Sequence, residues 1–207
     1  MKLFRGLVAA ALLLLSTQVF AEAQLGRDYS RLEPAQPTHT GDKIEVLEFF
    51  FYGCSHCYHL HPLISAWEKK MPKDVELQFV PVMFRDSWEA MARTFYALEA
   101  MGLERRLHDD LFKAWNVENQ VLTEQSDVED FVAKHGVDRS KFSAAYNSFT
   151  VNSKVARANQ MMRDYGIRGT PTLVVDGKYV ITGLTPEVTI QVLNDVIARA
   201  RKERSKH

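Results

Sequence analysis

Phe49-Phe50-Phe51-Tyr52-Gly53-Cys54-Ser55-His56-Cys57 decides how this chain is to be read. An apolar run ends at a glycine, two cysteines three positions apart follow, and a segment of helical character comes next. Upstream, Ile44-Glu45-Val46-Leu47-Glu48 extends the run into one strand, Ile44–Phe51. It is nearly continuous in apolar residues, as expected of a central strand covered on both faces. Downstream, Cys54 to about Lys70 reads as helix, and Pro62 inside it predicts a kink near His59–Leu60. Cys54 and Cys57 are the only two cysteines among 207 residues.

The start of the chain sets the redox context. Lys2 and Arg5 precede an uncharged apolar stretch, Gly6–Leu15, and Val19-Phe20-Ala21 offers small residues where a signal peptidase cuts. Residues 1–21 are therefore expected to be a cleaved signal peptide, the apolar run being too short for a membrane span. Disulfides persist outside the cytosol. As a staple, however, a Cys-x-x-Cys loop is worth only about 2 kcal/mol, against almost 5 for a loop of about a hundred residues. Reactivity explains the spacing better than stability does.

From Glu22 to Asp42, Pro34, Pro37, Gly41 and many polar residues predict a lead-in with little regular structure. Val75–Val80 alternates as a second strand. Asp86-x-x-Glu89 resembles a capping box opening a helix with Trp88, Met91, Phe95, Leu98 and Met101 at helical spacing, closed by Gly102. Further helices are expected over Leu103–Trp115, from Ser126-x-x-Glu129 to His135-Gly136, and over Asp138–Asn147. Val151–Tyr165 reads as a long helix. Arg168-Gly169-Thr170-Pro171-Thr172 then leads into the strand Leu173–Val175, the Asp176-Gly177 turn and the returning strand Lys178–Ile181. Thr185-Pro186-Glu187 starts the last helix, which is expected to carry Val188, Val192, Val196 and Ala200 inward and to end on Arg199, Arg201, Lys202 and Arg204.

This order predicts an α/β chain: a thioredoxin fold with an inserted all-helical subdomain. The expected division is 22–84 for the first part of the thioredoxin-like domain, 85–148 for the helical insertion and 149–207 for the second part. Lys+Arg and Asp+Glu are both 26, with no long run of one sign, so nucleic-acid binding has no electrostatic support.

The chemistry is expected at the dithiol. At a helix N-terminus Cys54 meets free backbone N–H groups and the positive end of the helix dipole, which favour its thiolate. Cys57, one turn in, is the resolving thiol. The His56 imidazole stabilises that thiolate by a hydrogen bond or by charge, or else is a solvated loop residue. Glu48 stands in the apolar strand. It is either a buried acid of raised pKa that moves protons for Cys57, or a strand residue that reaches solvent or an ion pair. Thr170-Pro171 precedes a strand where a cis bond would suit a tight turn, although on sequence alone the trans form is favoured. Cys54, His56, Cys57, His59 and His61 raise a metal site as an alternative, against which His56 and Cys57 are adjacent and would point apart on a helix.

Val46-Leu47-Glu48-Phe49-Phe50, Cys54-Ser55-His56-Cys57-Tyr58, Gly169-Thr170-Pro171 and Val175-Asp176-Gly177-Lys178-Tyr179, with the helical insertion, resemble the DsbA family of periplasmic thiol–disulfide oxidoreductases. The resemblance implies a cis Thr170–Pro171 bond facing the disulfide, Thr170 and Pro171 as substrate-binding residues, and Glu48 as the buried acid. It also implies a redox-active Cys54–Cys57 disulfide in place of any cofactor. Folding exported proteins would be the substrates, a membrane DsbB-like quinone reductase would reoxidise the site, and the protein would act as a monomer in the periplasm. The family commonly has Pro-His between the cysteines. Here Ser55 takes the proline's place, which bears on redox tuning. A disulfide isomerase or reductase of the same fold, or a periplasmic metal carrier, are the alternative functions.

Overall fold

A computed structural model describes residues 22–206 of the chain. The expected signal peptide, residues 1–21, lies outside them. Strand β2 (Ile44–Phe50) is buried along its whole length, which explains why its sequence is a run and not an alternation: both faces of the pleat are covered. β3 (Val75–Pro81) lies parallel to β2, with Glu48 opposite Phe79. Helix α1 (Ser55–Glu68) makes the crossover between them and contains Pro62. On the other side of β2, β4 (Thr172–Val175) runs antiparallel to it, and β5 (Tyr179–Thr182) runs antiparallel to β4. The short β1 (Ser30–Arg31) completes a five-stranded sheet of order β1-β5-β4-β2-β3.

The lead-in is more ordered than its composition predicts. β1 pairs with β5, the Leu32 N–H donates to the Lys178 carbonyl at 2.7 Å, and the Gln36 N–H donates to the Gly177 carbonyl at 2.8 Å. These are main-chain bonds to an exposed sheet edge, and side-chain patterning carries no trace of them. The hairpin turn takes φ of 56° at Asp176 and 63° at Gly177, the twist-compatible turn that Asp-Gly favours. A Cβ at Gly177 would stand 2.0 Å from the Gln36 carbonyl oxygen, so the turn and the strap against it both require glycine.

Four helices stand between β3 and the long α6 (Phe149–Asp164): α2 (Glu89–Ala100), α3 (Glu104–Asn116), α4 (Gln125–Lys134) and α5 (Arg139–Tyr146). α2 is their hub, packing on α3, α4, α5 and α6. The final helix, α7 (Pro186–Arg204), packs on α1 and against β2, β4 and β5. The molecule is a thioredoxin fold carrying an inserted set of helices.

Three local expectations are corrected. Asp86–Trp88 forms a turn of 3-10 helix, and no side chain caps α2; Glu89 pairs with Arg93 at 2.7 Å. α4 opens at Gln125 without a side-chain cap, and Glu129 accepts from the Gln125 amide and from Arg139. In both places a side-chain partner claims the glutamate that a capping box would use. In α7, Val188 is 39% exposed, whereas Thr189, Val192, Leu193, Val196, Ile197 and Ala200 are buried. A 3.6-residue period drifts against a four-residue count, and one turn before Val192 the inward position belongs to Thr189.

Candidate active site

Cys54 is the N-cap of α1, with extended backbone (φ −89°, ψ 115°). It is reached through a tight turn in which the Cys54 N–H donates to the Phe51 carbonyl at 3.0 Å. Its thiol donates to the Thr170 carbonyl at 3.3 Å. The Thr170–Pro171 bond is cis, and through the Cys54 contact with Thr170 the loop entering β4 faces the dithiol. Thr170 and Pro171 are thus brought to Cys54 although they lie far along the chain.

The two thiols are unbonded and unequal. The Cys54 pKa is lowered to about 5. A hydrogen bond from the Cys57 thiol lowers it most. Burial opposes this, and a hydrogen bond from the Thr170 side chain and the backbone N–H groups of Cys57 and His56 add to the lowering. Cys57 is fully buried, and its pKa is raised, first by burial and then by the neighbouring Cys54 sulfur and Glu48. One sulfur is thus anionic and accessible at neutral pH, and the other stays protonated.

Glu48 is 1% exposed. Burial lifts its pKa to about 8, Arg105 draws it down, and Glu68 and Cys54 push it further up. Its Oε2 has no hydrogen-bond partner, and among the described residues it forms no ion pair. Of the two readings of this residue, the solvated or paired carboxylate is not what the geometry presents. Ser55 and His56 stand at the start of α1, Ser55 and His56 both toward solvent. What His56 brings to the sulfur is its backbone N–H; no hydrogen bond joins its imidazole to Cys54. The histidines expected as possible ligands separate: His59 is on the outer side of the helix, while His61 is buried and pairs with Asp109. Among the described residues no three His, Cys, Asp or Glu side chains are grouped so that they could hold a metal ion.

Several neighbours of the dithiol escape a reading of the sequence. The Tyr52 hydroxyl and His108 Nδ1 are hydrogen-bonded at 2.7 Å, both groups being buried. Burial holds the His108 pKa well below its ordinary value, so its ring is neutral. Asn116 Nδ2 donates to the Tyr52 carbonyl at 2.7 Å and to the Phe112 carbonyl at 2.8 Å. Phe51 stacks on Trp88 with ring centroids 3.7 Å apart and meets Trp115 edge-on at 5.3 Å. A histidine, tryptophan and asparagine on one amphipathic helix carry no sequence signal that separates them from ordinary packing residues.

A dithiol at a helix N-terminus, set across a cis-proline loop on a thioredoxin sheet, defines a thiol–disulfide oxidoreductase. Residues 60–193 match the family model of the DSBA-like thioredoxin domain. The thiol:disulfide interchange protein DsbA of Pseudomonas syringae pv. tomato is 37% identical over 198 residues, covering 94% of this chain and 92% of that protein. The protein of the same name from Burkholderia cepacia is 42% identical over 156 residues, covering 74% of this chain and 73% of the relative. Among solved structures, Pseudomonas aeruginosa DsbA superposes with a TM-score of 0.84 at 34% identity, covering 88% of this chain and 97% of that one. The oxidoreductase DsbA from Xylella fastidiosa gives 0.81 at 30% identity, covering 87% and 98%. The chain belongs to the DsbA-like thioredoxin family.

Proposed function

We propose that the protein donates its Cys54–Cys57 disulfide to folding exported proteins in the periplasm of a Gram-negative bacterium. The observation that carries this reading is the inequality of the two thiols. A low-pKa Cys54 makes the reduced form stable, and a disulfide whose reduced form is stabilised is a strong oxidant, DsbA being the established case. A substrate thiolate attacks the Cys54 sulfur and forms a mixed disulfide, and the bond between Cys54 and Cys57 breaks. A second substrate thiolate then attacks the substrate sulfur of that mixed disulfide and releases Cys54 as thiolate. Two electrons pass from the substrate dithiol to the protein, and the substrate leaves as a disulfide.

In this reading Cys54 is the nucleophilic and leaving sulfur and Cys57 its buried partner. Glu48 exchanges the proton that Cys57 carries only when reduced, and Ser55 and His56 tune the helix N-terminus. Thr170 and Pro171 hold an extended substrate through main-chain bonds, which suits unfolded chains of any sequence. Residues 22–84 and 149–207 form the thioredoxin-like part, and residues 85–148 the insertion. The cycle is closed by a membrane DsbB-like quinone reductase, the protein works as a monomer, and the disulfide serves in place of a cofactor.

Equilibration with glutathione redox buffers tests the reading. A couple far more oxidising than a cytosolic thioredoxin is expected, and a thioredoxin-like potential would falsify the donor assignment. Refolding of a scrambled disulfide protein separates donor from isomerase, since a donor oxidises a reduced substrate rapidly and reshuffles a scrambled one slowly.

A further inference from the structure

α3 grips the two residues that lead into Cys54. Tyr52 is held at both ends from this one helix: its hydroxyl is hydrogen-bonded to His108 at 2.7 Å, and its carbonyl accepts from Asn116 at 2.7 Å. Gly53 follows, and a Cβ there would lie 2.8 Å from Trp115 Cε3 and 2.5 Å from Phe51 Cε1. His108, Trp115 and Asn116 therefore line one side of α3 against consecutive residues of the turn. The turn itself closes with one main-chain bond, Cys54 N–H to Phe51 carbonyl at 3.0 Å, and passes into α1 through the Tyr58 N–H to Cys54 carbonyl bond at 3.0 Å. Upstream, nothing within the turn fixes it further, so the direction in which the Cys54 sulfur leaves depends on what anchors Tyr52 and Gly53.

Taking the disulfide-donor reading of the site as the premise, we propose that Asn116 and His108 are positioning residues for the reaction: through Tyr52 they fix the turn that aims the Cys54 sulfur at the first amides of α1. The inserted helices thereby set the oxidising strength of a site that belongs to the thioredoxin sheet. The grip works through hydrogen-bond geometry, and the charge contributed by these residues is nil, since Asn116 is uncharged and burial keeps His108 neutral. The donors concerned, the N–H groups of His56 and Cys57, favour the thiolate only while the sulfur lies within their reach.

The test is Asn116→Ala in the purified protein, with Tyr52→Phe/His108→Phe as a second variant that removes the other anchor without leaving a hydroxyl unpaired. Phe142→Leu, in the core of the insertion and away from the turn, reports generic destabilisation. Each is read by thiolate absorbance against pH and by equilibration with glutathione, in which the protein disulfide and two glutathione thiols exchange to the dithiol and glutathione disulfide. In Asn116→Ala the Cys54 titration should move up, and the equilibrium should shift at least about threefold toward a weaker oxidant, the scale of one lost hydrogen bond. Phe142→Leu should leave both unchanged at equal loss of stability. Wild-type titration and equilibrium in both anchor variants overturn the positioning role, as does an equal shift in Phe142→Leu. A wild-type protein that does not exchange with glutathione overturns the donor reading instead.

Discussion

The Cys54 thiol donates to the Thr170 main-chain carbonyl at 3.3 Å, across 116 positions of sequence. This bond needs a proton on sulfur. With the Cys54 pKa near 5, the proton is gone at neutral pH, and the carbonyl is left with a free acceptor site beside the reacting sulfur. In the proposed function, an extended peptide docking there would supply the N–H that takes the thiol's place.

The inequality of the thiols predicts opposite fates for the two cysteine variants. Cys54→Ser should abolish oxidation of a reduced substrate. Cys57→Ala, which brings no new polar group into a fully buried site, should still be attacked at Cys54 once that sulfur is loaded as a mixed disulfide. It should then accumulate covalent substrate adducts, visible on non-reducing gels. Full turnover by Cys57→Ala would reverse the assignment of roles.

The pH dependence of stability should differ between the redox forms. Glu48 has a folded pKa of about 8, above its ordinary 4.5, so its contribution is fully present below about 4.5 and is lost as pH rises through 8. Cys54, lowered from 9 to about 5, contributes in the reduced protein above 9 and loses that contribution as pH falls through 5. The two slopes oppose each other between about 5 and 8, so the reduced form should be nearly flat there while the oxidised form weakens. Glu48→Gln should flatten the oxidised form and stabilise it at pH 8 by on the order of 4 kcal/mol. Urea midpoints of both forms across this range measure it. An oxidised wild type as flat as its Gln variant would show that Glu48 does not titrate as described.

Gly53→Ala should destabilise the protein by about 1–3 kcal/mol, the range for overpacking. The new methyl would meet Phe51 and Trp115 at 2.5 and 2.8 Å. Phe51 has little room to move, because it is stacked on Trp88. Denaturant midpoints of the oxidised form report the effect, and a midpoint equal to wild type would mean that the aromatic wall yields freely.

His56→Ser should leave the Cys54 pKa close to its wild-type value, well below 9. The backbone N–H of residue 56 survives the change, as does the thiol of Cys57, the largest contributor to the lowering. A thiolate titration decides this. Return of Cys54 to an ordinary thiol value would place the whole effect in the imidazole, which is exposed and makes no bond to the sulfur.

The parts of this molecule legible in its sequence are those with a local cause. The apolar run of β2, the glycines after α2, α4 and α6, and the Asp176-Gly177 hairpin all follow from chain stereochemistry. Cys54 and Cys57 are legible because their spacing has no good structural excuse, and Glu48 because a carboxylate inside such a run must be explained. Its environment is not legible: whether Glu48 is paired or solvated depends on which residues the fold brings over it. The same holds for Tyr52, whose two anchors arrive from α3, and for Val188, where a one-position drift in helical phase separates core from surface.

The burial of Cys57 also sets the proton count of each cycle. A sulfur that cannot ionise in the working range leaves the reduced site holding one proton where two thiols would ordinarily hold two. Reduction therefore takes up two electrons and a single proton between about pH 5 and the ionisation of Cys57. The midpoint potential should fall by about 30 mV per pH unit, half the slope of an ordinary dithiol. Every disulfide handed on then sends one proton into the surrounding solution and leaves one negative charge at the mouth of the site.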